Sequence, residues 1–146
     1  MTGLSPDRLC ITVPAQAWRL GQLRESIDQF AQAHGADPNA RDAIVLATNE
    51  ACSNVVCHAY GPEGGPLHLN ARIRDGFMQI LVSDNGTPVG DLAGPGAGLG
   101  MRIIRDVSDD VDIEGPGPTG TKVRATFSLK GSRARHQELP DFDGLD

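Results

Sequence analysis

Between residues 67 and 74 the chain alternates strictly between apolar and polar side chains. Successive side chains of a strand point to opposite faces of a sheet, so this pattern predicts a strand with one buried and one solvated face. Asp75-Gly76 follows at once and favours a tight hairpin turn, after which residues 77–84 form the returning strand. An antiparallel hairpin with one apolar face needs a second layer to cover that face.

Other segments supply the rest of the sheet and its covering layer. Residues 9–13 alternate in the same way and predict a first strand. Residues 15–34 carry apolar side chains at helical spacing, and Asp37 followed by Pro38 is typical of the start of a second helix. The remaining predicted elements are a short helix from Leu99 through Val107 and two strands at residues 111–114 and 121–129.

The order of these elements predicts an α+β fold, a two-layer sandwich in which a mixed, mostly antiparallel sheet carries helices on one face. A length of 146 residues suits a single domain with one core. We place this domain at residues 1–130. Residues 131–146 show no apolar period, and we expect them to form a flexible acidic tail.

The charge and the apolar runs of the chain exclude some classes of partner. A net charge of −6 argues against binding to nucleic acid, whose protein partners usually present a basic surface. No apolar run is long enough to span a bilayer, and the first ten residues lack the regions of a signal peptide. We therefore expect a cytoplasmic protein that binds neither nucleic acid nor membrane. Its 3 cysteines are interpreted as reduced thiols.

The second predicted helix carries a carboxylate and a carboxamide one turn apart, at Glu50 and Asn54. At about 100° per residue, both lie on a narrow stripe at the border of a broad apolar face. The apolar face packs on the sheet, and the stripe therefore faces the seam between helix and sheet. Such polar groups often do no more than border a core. The alternative is that the stripe holds a ligand in the seam.

Two further polar residues are predicted to point into the same seam. Asp84 shares a strand face with apolar residues, and a carboxylate there is costly unless it has a partner. A ligand amino group would serve as that partner, although Asp84 could equally cap the turn formed by Asn85 and Gly86. Thr121 opens the last strand on the face that turns inward.

A glycine-rich segment, with Gly94, Gly96, Gly98 and Gly100, leads directly into the short helix. Glycines let backbone amides approach a phosphate closely, and a helix N-terminus adds free N–H groups. The spacing matches neither the dinucleotide fingerprint nor the P-loop. The segment is therefore either an anion cradle of another kind or a flexible connector.

Together these motifs resemble a known family. In chain order, "NEACSN", "DNG", "GAGLG" and "GT" resemble the N, G1, G2 and G3 boxes of the GHKL or Bergerat ATPases, which include gyrase and histidine kinases. The resemblance covers residues 9–129 and implies the Bergerat type of two-layer sandwich. The form "NEACSNVVCHAY" is most similar to the RsbW-like anti-sigma factors, which are serine-protein kinases.

The resemblance implies a role for each matching residue. Asn54 matches the asparagine that holds Mg²⁺ against the phosphates, and Glu50 matches the proposed general base. Asp84 matches the acid that accepts a hydrogen bond from the adenine amino group. The other residues that match nucleotide-binding positions are Gly86, Gly96, Gly98, Leu99, Gly100 and Thr121.

The implied cofactors are ATP or ADP with Mg²⁺, and the implied partners are a sigma factor and a STAS-domain anti-anti-sigma factor that the kinase phosphorylates. We expect a homodimer, with the helix predicted at residues 15–34 as part of the dimer or partner surface.

Two departures from the family pattern lead to an alternative function. Pro88 stands where the second glycine of the G1 box is usual, and Asp91 is the only charged residue in the short segment 87–95. Catalysis of phosphoryl transfer often uses a cation on the transferred group, and Arg102 and Arg105 are the nearest candidates in sequence, although both could be solvated helix residues. The alternative is a nucleotide-gated anti-sigma binding module with little or no kinase activity.

Overall fold

The computed structural model describes residues 2–86, 97–131 and 138–143. Along the described residues, two strands are followed by two helices, two strands, one helix and two strands, and these helices pack on one face of the sheet. The strands are β1 (Thr2–Ser5), β2 (Arg8–Pro14), β3 (Pro66–Arg74), β4 (Phe77–Asp84), β5 (Asp110–Gly117) and β6 (Gly120–Ser128). The helices are α1 (Leu20–Ala33), α2 (Pro38–Asn54) and α3 (Ala97–Val107).

The six strands form one sheet in the order β1-β2-β3-β4-β6-β5. Every pairing among the described residues is antiparallel. The predicted hairpin is confirmed: β3 and β4 pair from Leu67 opposite Asp84 to Arg74 opposite Phe77. Asp75 and Gly76 between them have φ angles of 52° and 82°, as a type I′ turn requires at both central positions.

The core lies between the sheet and the helices, as the alternation predicted. Apolar side chains of β2, β3, β4 and β6 point toward α1 and α2. The fully buried side chains of this core include Leu23 and Ile27 of α1, Ile44 of α2, and Leu67, Leu69, Met78, Ile80 and Phe127 of the sheet. The prediction of an α+β sandwich with helices on one face is therefore confirmed.

Helix α2 is the element that carries the site, and its start follows the predicted signals. Asp37 caps it by accepting a hydrogen bond from the Ala40 N–H at 2.8 Å, and Pro38 is its first residue. A bidentate ion pair, with both N–O distances at 2.9 Å, joins Arg41 of α2 to Asp28 of α1. The Arg41 guanidinium holds the pKa of the Asp28 carboxyl below its usual value.

Several elements differ in extent from the prediction. The helix predicted at residues 15–34 divides into a 3₁₀ turn at Ala17–Arg19 and α1. After Asn54 the second helix continues as a π-helical turn at Val55–Ala59. Strand β1 was not predicted, because it pairs with β2 through its backbone but carries no alternating pattern of its own.

The cysteines are unpaired in the structure: Cys10 and Cys57 are exposed and Cys52 is buried. Burial raises the pKa of the Cys52 thiol to about 12, so this thiol stays protonated at neutral pH. Among the described residues, no helix is long and apolar enough to cross a membrane.

Of the tail at 131–146, the structure describes residues 138–143 beyond Gly131. Phe142 in this segment is only 4% exposed. Its ring lies 5.6 Å from the guanidinium carbon of Arg72, which belongs to the polar face of β3. The segment therefore contacts the face of the sheet that the helices leave open.

Candidate functional site

A cavity of about 250 Å³ lies between α2, α3 and the ends of β4, β5 and β6. Most of its wall is apolar, formed by side chains that include Val55, Ala59, Val82, Met101, Ile113 and Val123. The polar residues that line it are Asn54, His58, Asp84, Arg105 and Thr121. The cavity therefore suits a flat apolar group that carries a few polar atoms.

Asp84 is the acid at the floor of this cavity, at the end of β4, and it is 4% exposed. Its Oδ1 accepts hydrogen bonds from the backbone N–H groups of Gly86 at 2.9 Å and Thr121 at 3.3 Å. Burial raises the pKa of Asp84, while these two hydrogen bonds and the nearby His68 act in the opposite direction. Among the described residues, Oδ2 accepts no hydrogen bond, so one carboxylate oxygen is available to a ligand donor.

Two glycines allow the backbone to close around Asp84. A Cβ at Gly86 would lie 2.0 Å from the carbonyl oxygen of Ala59, and a Cβ at Gly120 would lie 2.0 Å from that of Asp84. Gly120 also has a φ of 102°, which L side chains rarely adopt. Any larger residue at either position would displace the segments that hold the Asp84 carboxylate.

Tyr60 fixes the turn that follows Asp84. Its hydroxyl accepts a hydrogen bond from the Asn85 N–H at 2.9 Å and donates one to the carbonyl oxygen of Pro66 at 2.6 Å. Burial is the main reason why the pKa of Tyr60 is raised, and the Asp84 charge adds to this effect. The hydroxyl thus remains a donor at neutral pH and bridges the ends of β3 and β4.

At the other end of the cavity, Glu50 and Asn54 meet the first turn of α3. A Cβ on Gly100 would lie 3.1 Å from Glu50 Oε2, 3.3 Å from Asn54 Nδ2 and 3.4 Å from Asn54 Oδ1. The structure thus brings the predicted helical stripe and the predicted glycine box together. Since the first backbone N–H groups of a helix have no intrahelical partner, the start of α3 is able to bind an anion here.

The residues at this end fit a nucleotide phosphate group with a bound Mg²⁺. Asn54 Nδ2 is buried without a hydrogen-bond partner among the described residues, which is costly unless a ligand accepts from it. Asn54 Oδ1 is an oxygen of the type that Mg²⁺ prefers, and Mg²⁺ usually takes further ligands from phosphates and water. No group of three or more His, Cys, Asp or Glu side chains in the described ranges is placed to hold a metal ion alone.

The predicted site residues fall into three groups. Asn54, Asp84, Gly98 and Thr121 line the cavity, while Glu50, Gly86 and Gly100 lie directly beside it. Leu99, in the first turn of α3, is 60% exposed and is not among the lining residues. Gly96, together with Pro88 and the segment at residues 87–95, lies outside the described residues. Of the two candidate cations, Arg105 lines the cavity and Arg102 does not.

Sequence reasoning missed the residues that support Asp84 and those that close the cavity from the side of β5. Tyr60 and Gly120, which lie within the quoted motifs but were given no role, belong to the first group, and Ile113 and Pro116 to the second. His58 was also given no role, and it lines the cavity. Glu50, Asn54 and His58 follow one another at intervals of four residues, and this helical spacing was the available signal for His58.

The fold and the cavity together define a class of protein: a two-layer α+β domain with a mostly apolar cavity between its helices and its sheet and a helix N-terminus at one end of that cavity. Comparison with known proteins identifies the family. Residues 13–127 match the family model of the histidine kinase-like ATPase domain.

Named relatives agree with this match. The serine-protein kinase RsbW of Halalkalibacterium halodurans is 30% identical over 127 residues, which cover 75% of this chain and 76% of the relative. The serine-protein kinase RsbW of Bacillus mycoides is 26% identical over 125 residues, or 73% of this chain and 77% of the relative.

A solved structure shares the fold. The crystal structure of the RsbU and RsbW domains of a Mycobacterium tuberculosis protein aligns with a TM-score of 0.69 at 23% identity, and the match covers 83% of this chain and 32% of that longer chain. The present chain belongs to the histidine kinase-like ATPase domain family, and within it to the RsbW serine-protein kinases. Membership of this family implies that the chain binds a nucleotide.

Proposed function

We propose that the chain is a cytoplasmic anti-sigma factor kinase. It binds ATP with Mg²⁺, sequesters a sigma factor, and phosphorylates a serine or threonine of a STAS-domain anti-anti-sigma factor. The family supports the kinase activity. The particular partners, the use of Mg²⁺ and the roles of the site residues are part of the proposal.

The observation that carries this proposal is the position of Gly100 against Glu50 and Asn54, at one end of a cavity whose floor is Asp84. A purine held at Asp84 Oδ2 by its amino group would direct its phosphates toward the start of α3. The phosphate that reacts would then lie close to a carboxylate and a carboxamide. Phosphoryl transfer requires little more from a protein than such positioning and charge stabilisation.

Each group has a definite task in the transfer. The hydroxyl oxygen of the substrate serine or threonine forms a bond to the γ-phosphorus of ATP, and the bond from that phosphorus to the β–γ bridging oxygen breaks, so that ADP leaves. Glu50 takes the hydroxyl proton through its carboxylate. Asn54 binds a phosphate oxygen through Nδ2 and the cation through Oδ1. Bound Mg²⁺ supplies charge neutralisation on the phosphates.

The start of α1 supports the proposed partner surface. Trp18, in the 3₁₀ turn before α1, is 69% exposed, and the Arg19 guanidinium carbon lies 4.0 Å from the centroid of its ring. Leu46 on the neighbouring α2 is 40% exposed. Large exposed side chains of this kind are typical of binding surfaces. We propose that this region binds a sigma factor, an antagonist or a second copy of the chain.

The test is transfer of labelled γ-phosphate from ATP to a purified STAS-domain protein encoded beside this chain. The proposal expects Mg²⁺-dependent label on a serine or threonine of that protein. Nucleotide binding and a stable complex without transfer would instead support the nucleotide-gated binding module. That alternative is favoured by the absence of Lys and Arg from residues 87–95.

A further inference from the structure

The open face of the sheet, opposite the helices and the nucleotide cavity, carries a groove with several cationic side chains. Arg8, Arg72 and Arg124 line it, with Gln79 between them. It continues past Thr126 toward β5, where Asp110 and Asp112 also line it and Arg124 forms ion pairs with Asp112 and Glu114. We call this surface the outer groove. Arginines concentrated on one face are notable in a chain whose net charge is −6.

Residues 138–143 of the same chain cover part of this surface and line the outer groove beside it. Phe142 is buried to 4% exposure, and its ring lies 5.6 Å from the guanidinium carbon of Arg72. Arg72 is held in place because its Nη2 donates a hydrogen bond to Gln79 Oε1 at 2.7 Å. Thr126, which lines the same part of the groove as residues 139–143, is also 4% exposed, although its side chain points away from the helices.

The segment is shaped and charged to fit this groove. Asp141 Oδ1 accepts a hydrogen bond from the Asp143 N–H at 2.9 Å, and this local turn presents Phe142 at its apex. Residues 138–143 contain three acids, Glu138, Asp141 and Asp143, and no Lys or Arg. The aromatic anchor of this acidic segment therefore lies against Arg72 in a cation–π contact, and Asp143 lines the groove together with Arg8, Arg72 and Arg124.

The contact is of a strength that permits exchange. Burial of one aromatic side chain and a few charge contacts stabilise the bound segment. The conformational entropy lost on ordering the segment opposes binding, and the two free-energy contributions are of similar size. Attachment to the same chain favours occupation, since a tethered segment acts at an effective concentration on the order of millimolar. Once the tethered segment is released, a segment of similar chemistry in another protein would be able to bind the groove.

We propose that the outer groove is a docking site for a short acidic segment with an aromatic side chain in a partner protein, and that residues 138–143 occupy it in cis as a competitor. This inference is independent of the proposed kinase activity, because the groove lies on the other face of the sheet from Asp84 and Glu50. Release of the tail would expose the groove without changing the nucleotide cavity.

The test uses the full chain, labelled with ¹⁵N, as the parent and as Phe142→Ala. Each is titrated with a synthetic peptide of residues 138–143, Glu-Leu-Pro-Asp-Phe-Asp. Phe142→Ala is expected to bind the peptide at least about tenfold more tightly than the parent, because the tethered competitor at an effective concentration of roughly millimolar has lost its anchor. The amide signals that move should belong to β3, β4 and β6.

Two controls make the result specific. A peptide with Ala in place of Phe should not bind Phe142→Ala, and adding Arg72→Gln to Phe142→Ala should weaken binding of the intact peptide. Nucleotide should raise the melting temperature of parent and Phe142→Ala equally, which shows that both are folded. If Phe142→Ala does not fold, Arg72→Gln in the otherwise unchanged chain is used instead. The amide signal of Phe142 should then move to the chemical shift of a disordered residue.

Three results would overturn the proposal. The first is equal affinity of the peptide for parent and Phe142→Ala, and the second is binding to neither at a peptide concentration of roughly 1 mM, the level at which the tethered segment acts. The third is a parent that is dimeric in solution and becomes monomeric on Phe142→Ala. That outcome would mean that the tail of a second copy, and not the tail in cis, occupies the groove.

Discussion

The hydroxyl of Tyr60 accepts a hydrogen bond from the backbone N–H of Asn85 at 2.9 Å, and this contact joins the end of the π-helical turn to the residue after Asp84, the proposed acceptor for adenine. The same hydroxyl donates to the carbonyl oxygen of Pro66. Tyr60 is not among the residues that line the cavity, yet its hydroxyl holds the turn after Asp84. We propose that it positions this turn for the recognition of the base.

Tyr60→Phe is therefore expected to weaken nucleotide binding more than it disturbs the fold. The change removes two hydrogen bonds of which one is exposed and one part-buried, at a cost of about 0.5–1.5 kcal/mol each in unfolding free energy. Urea denaturation measures that cost, and titration with ADP measures the affinity. If the affinity of Tyr60→Phe equals that of the parent, the hydroxyl does not position the turn.

Asp84→Asn is expected to separate stability from binding. Burial raises the folded-state pKa of Asp84 above the unfolded value of about 3.9. The folded chain therefore binds this proton more tightly than the unfolded chain, and the free energy of unfolding decreases as pH rises from the unfolded pKa through the folded one. The asparagine variant lacks this decrease, so without nucleotide it should be at least as stable as the parent at pH 7.

The same variant should lose the stabilisation by nucleotide. A ligand at 100 times its dissociation constant stabilises a folded protein by about 2.7 kcal/mol, and most of the corresponding rise in melting temperature should disappear in Asp84→Asn. Thermal melts of parent and variant with and without ATP and Mg²⁺, at several pH values, provide both measurements. An undiminished shift in the variant would show that Asp84 does not contact the base.

Gly100→Ala and Gly98→Ala form a matched pair in the first turn of α3. A methyl group at position 100 would lie 3.1–3.4 Å from Glu50 and Asn54, where the phosphates are proposed to bind, whereas one at position 98 meets nothing within 4 Å. Both changes favour a helix by about 1 kcal/mol. We expect nucleotide affinity to fall about tenfold or more in Gly100→Ala, a loss of about 1.4 kcal/mol, and to fall less in Gly98→Ala, where the methyl group has open space around it. Isothermal titration with ADP and Mg²⁺ measures it, and equal losses in the two variants would contradict the assignment.

Glu50→Gln tests the proposed base. The amide keeps the shape of the side chain but cannot take a proton, so transfer to the STAS-domain protein should fall by about 10² to 10⁴ while nucleotide affinity stays near that of the parent. Radiolabel transfer and ADP titration measure the two quantities. Glu63→Gln, an exposed glutamate in the loop before β3, is the matched control and should transfer at the parent rate. Full transfer by Glu50→Gln would remove this residue from the mechanism.

Local patterns predicted the parts of the fold that depend on near neighbours in sequence. Asp75-Gly76 fixed the hairpin because only a few residue types adopt positive φ at both positions, and Asp37-Pro38 marked the start of α2 for a similar reason. The alternation of side chains along β4 predicted that Asp84 points into the seam between helices and sheet. These signals are independent of the rest of the chain.

The supports of the site could not be predicted in the same way, because they depend on distances between remote segments. Nothing in the sequence around Gly120 shows that it lies against the Asp84 carbonyl, since the contact follows from the pairing of β4 with β6. Tyr60 reaches Asn85 because the π-helical turn ends beside β4. Phe142 reaches the outer groove from a segment that has no apolar pattern.

The two sides of the nucleotide cavity are held with unequal strength. Its floor ends on β4, which is paired with β3 on one side and β6 on the other. Its roof is α3, in which Ile104 is the only buried hydrophobic side chain described. Segments with few buried contacts open locally more often than strands within a sheet. We therefore expect detachment of α3 to determine the residence time of a nucleotide. A partner that binds α3 and holds it in place would then slow the release of ADP.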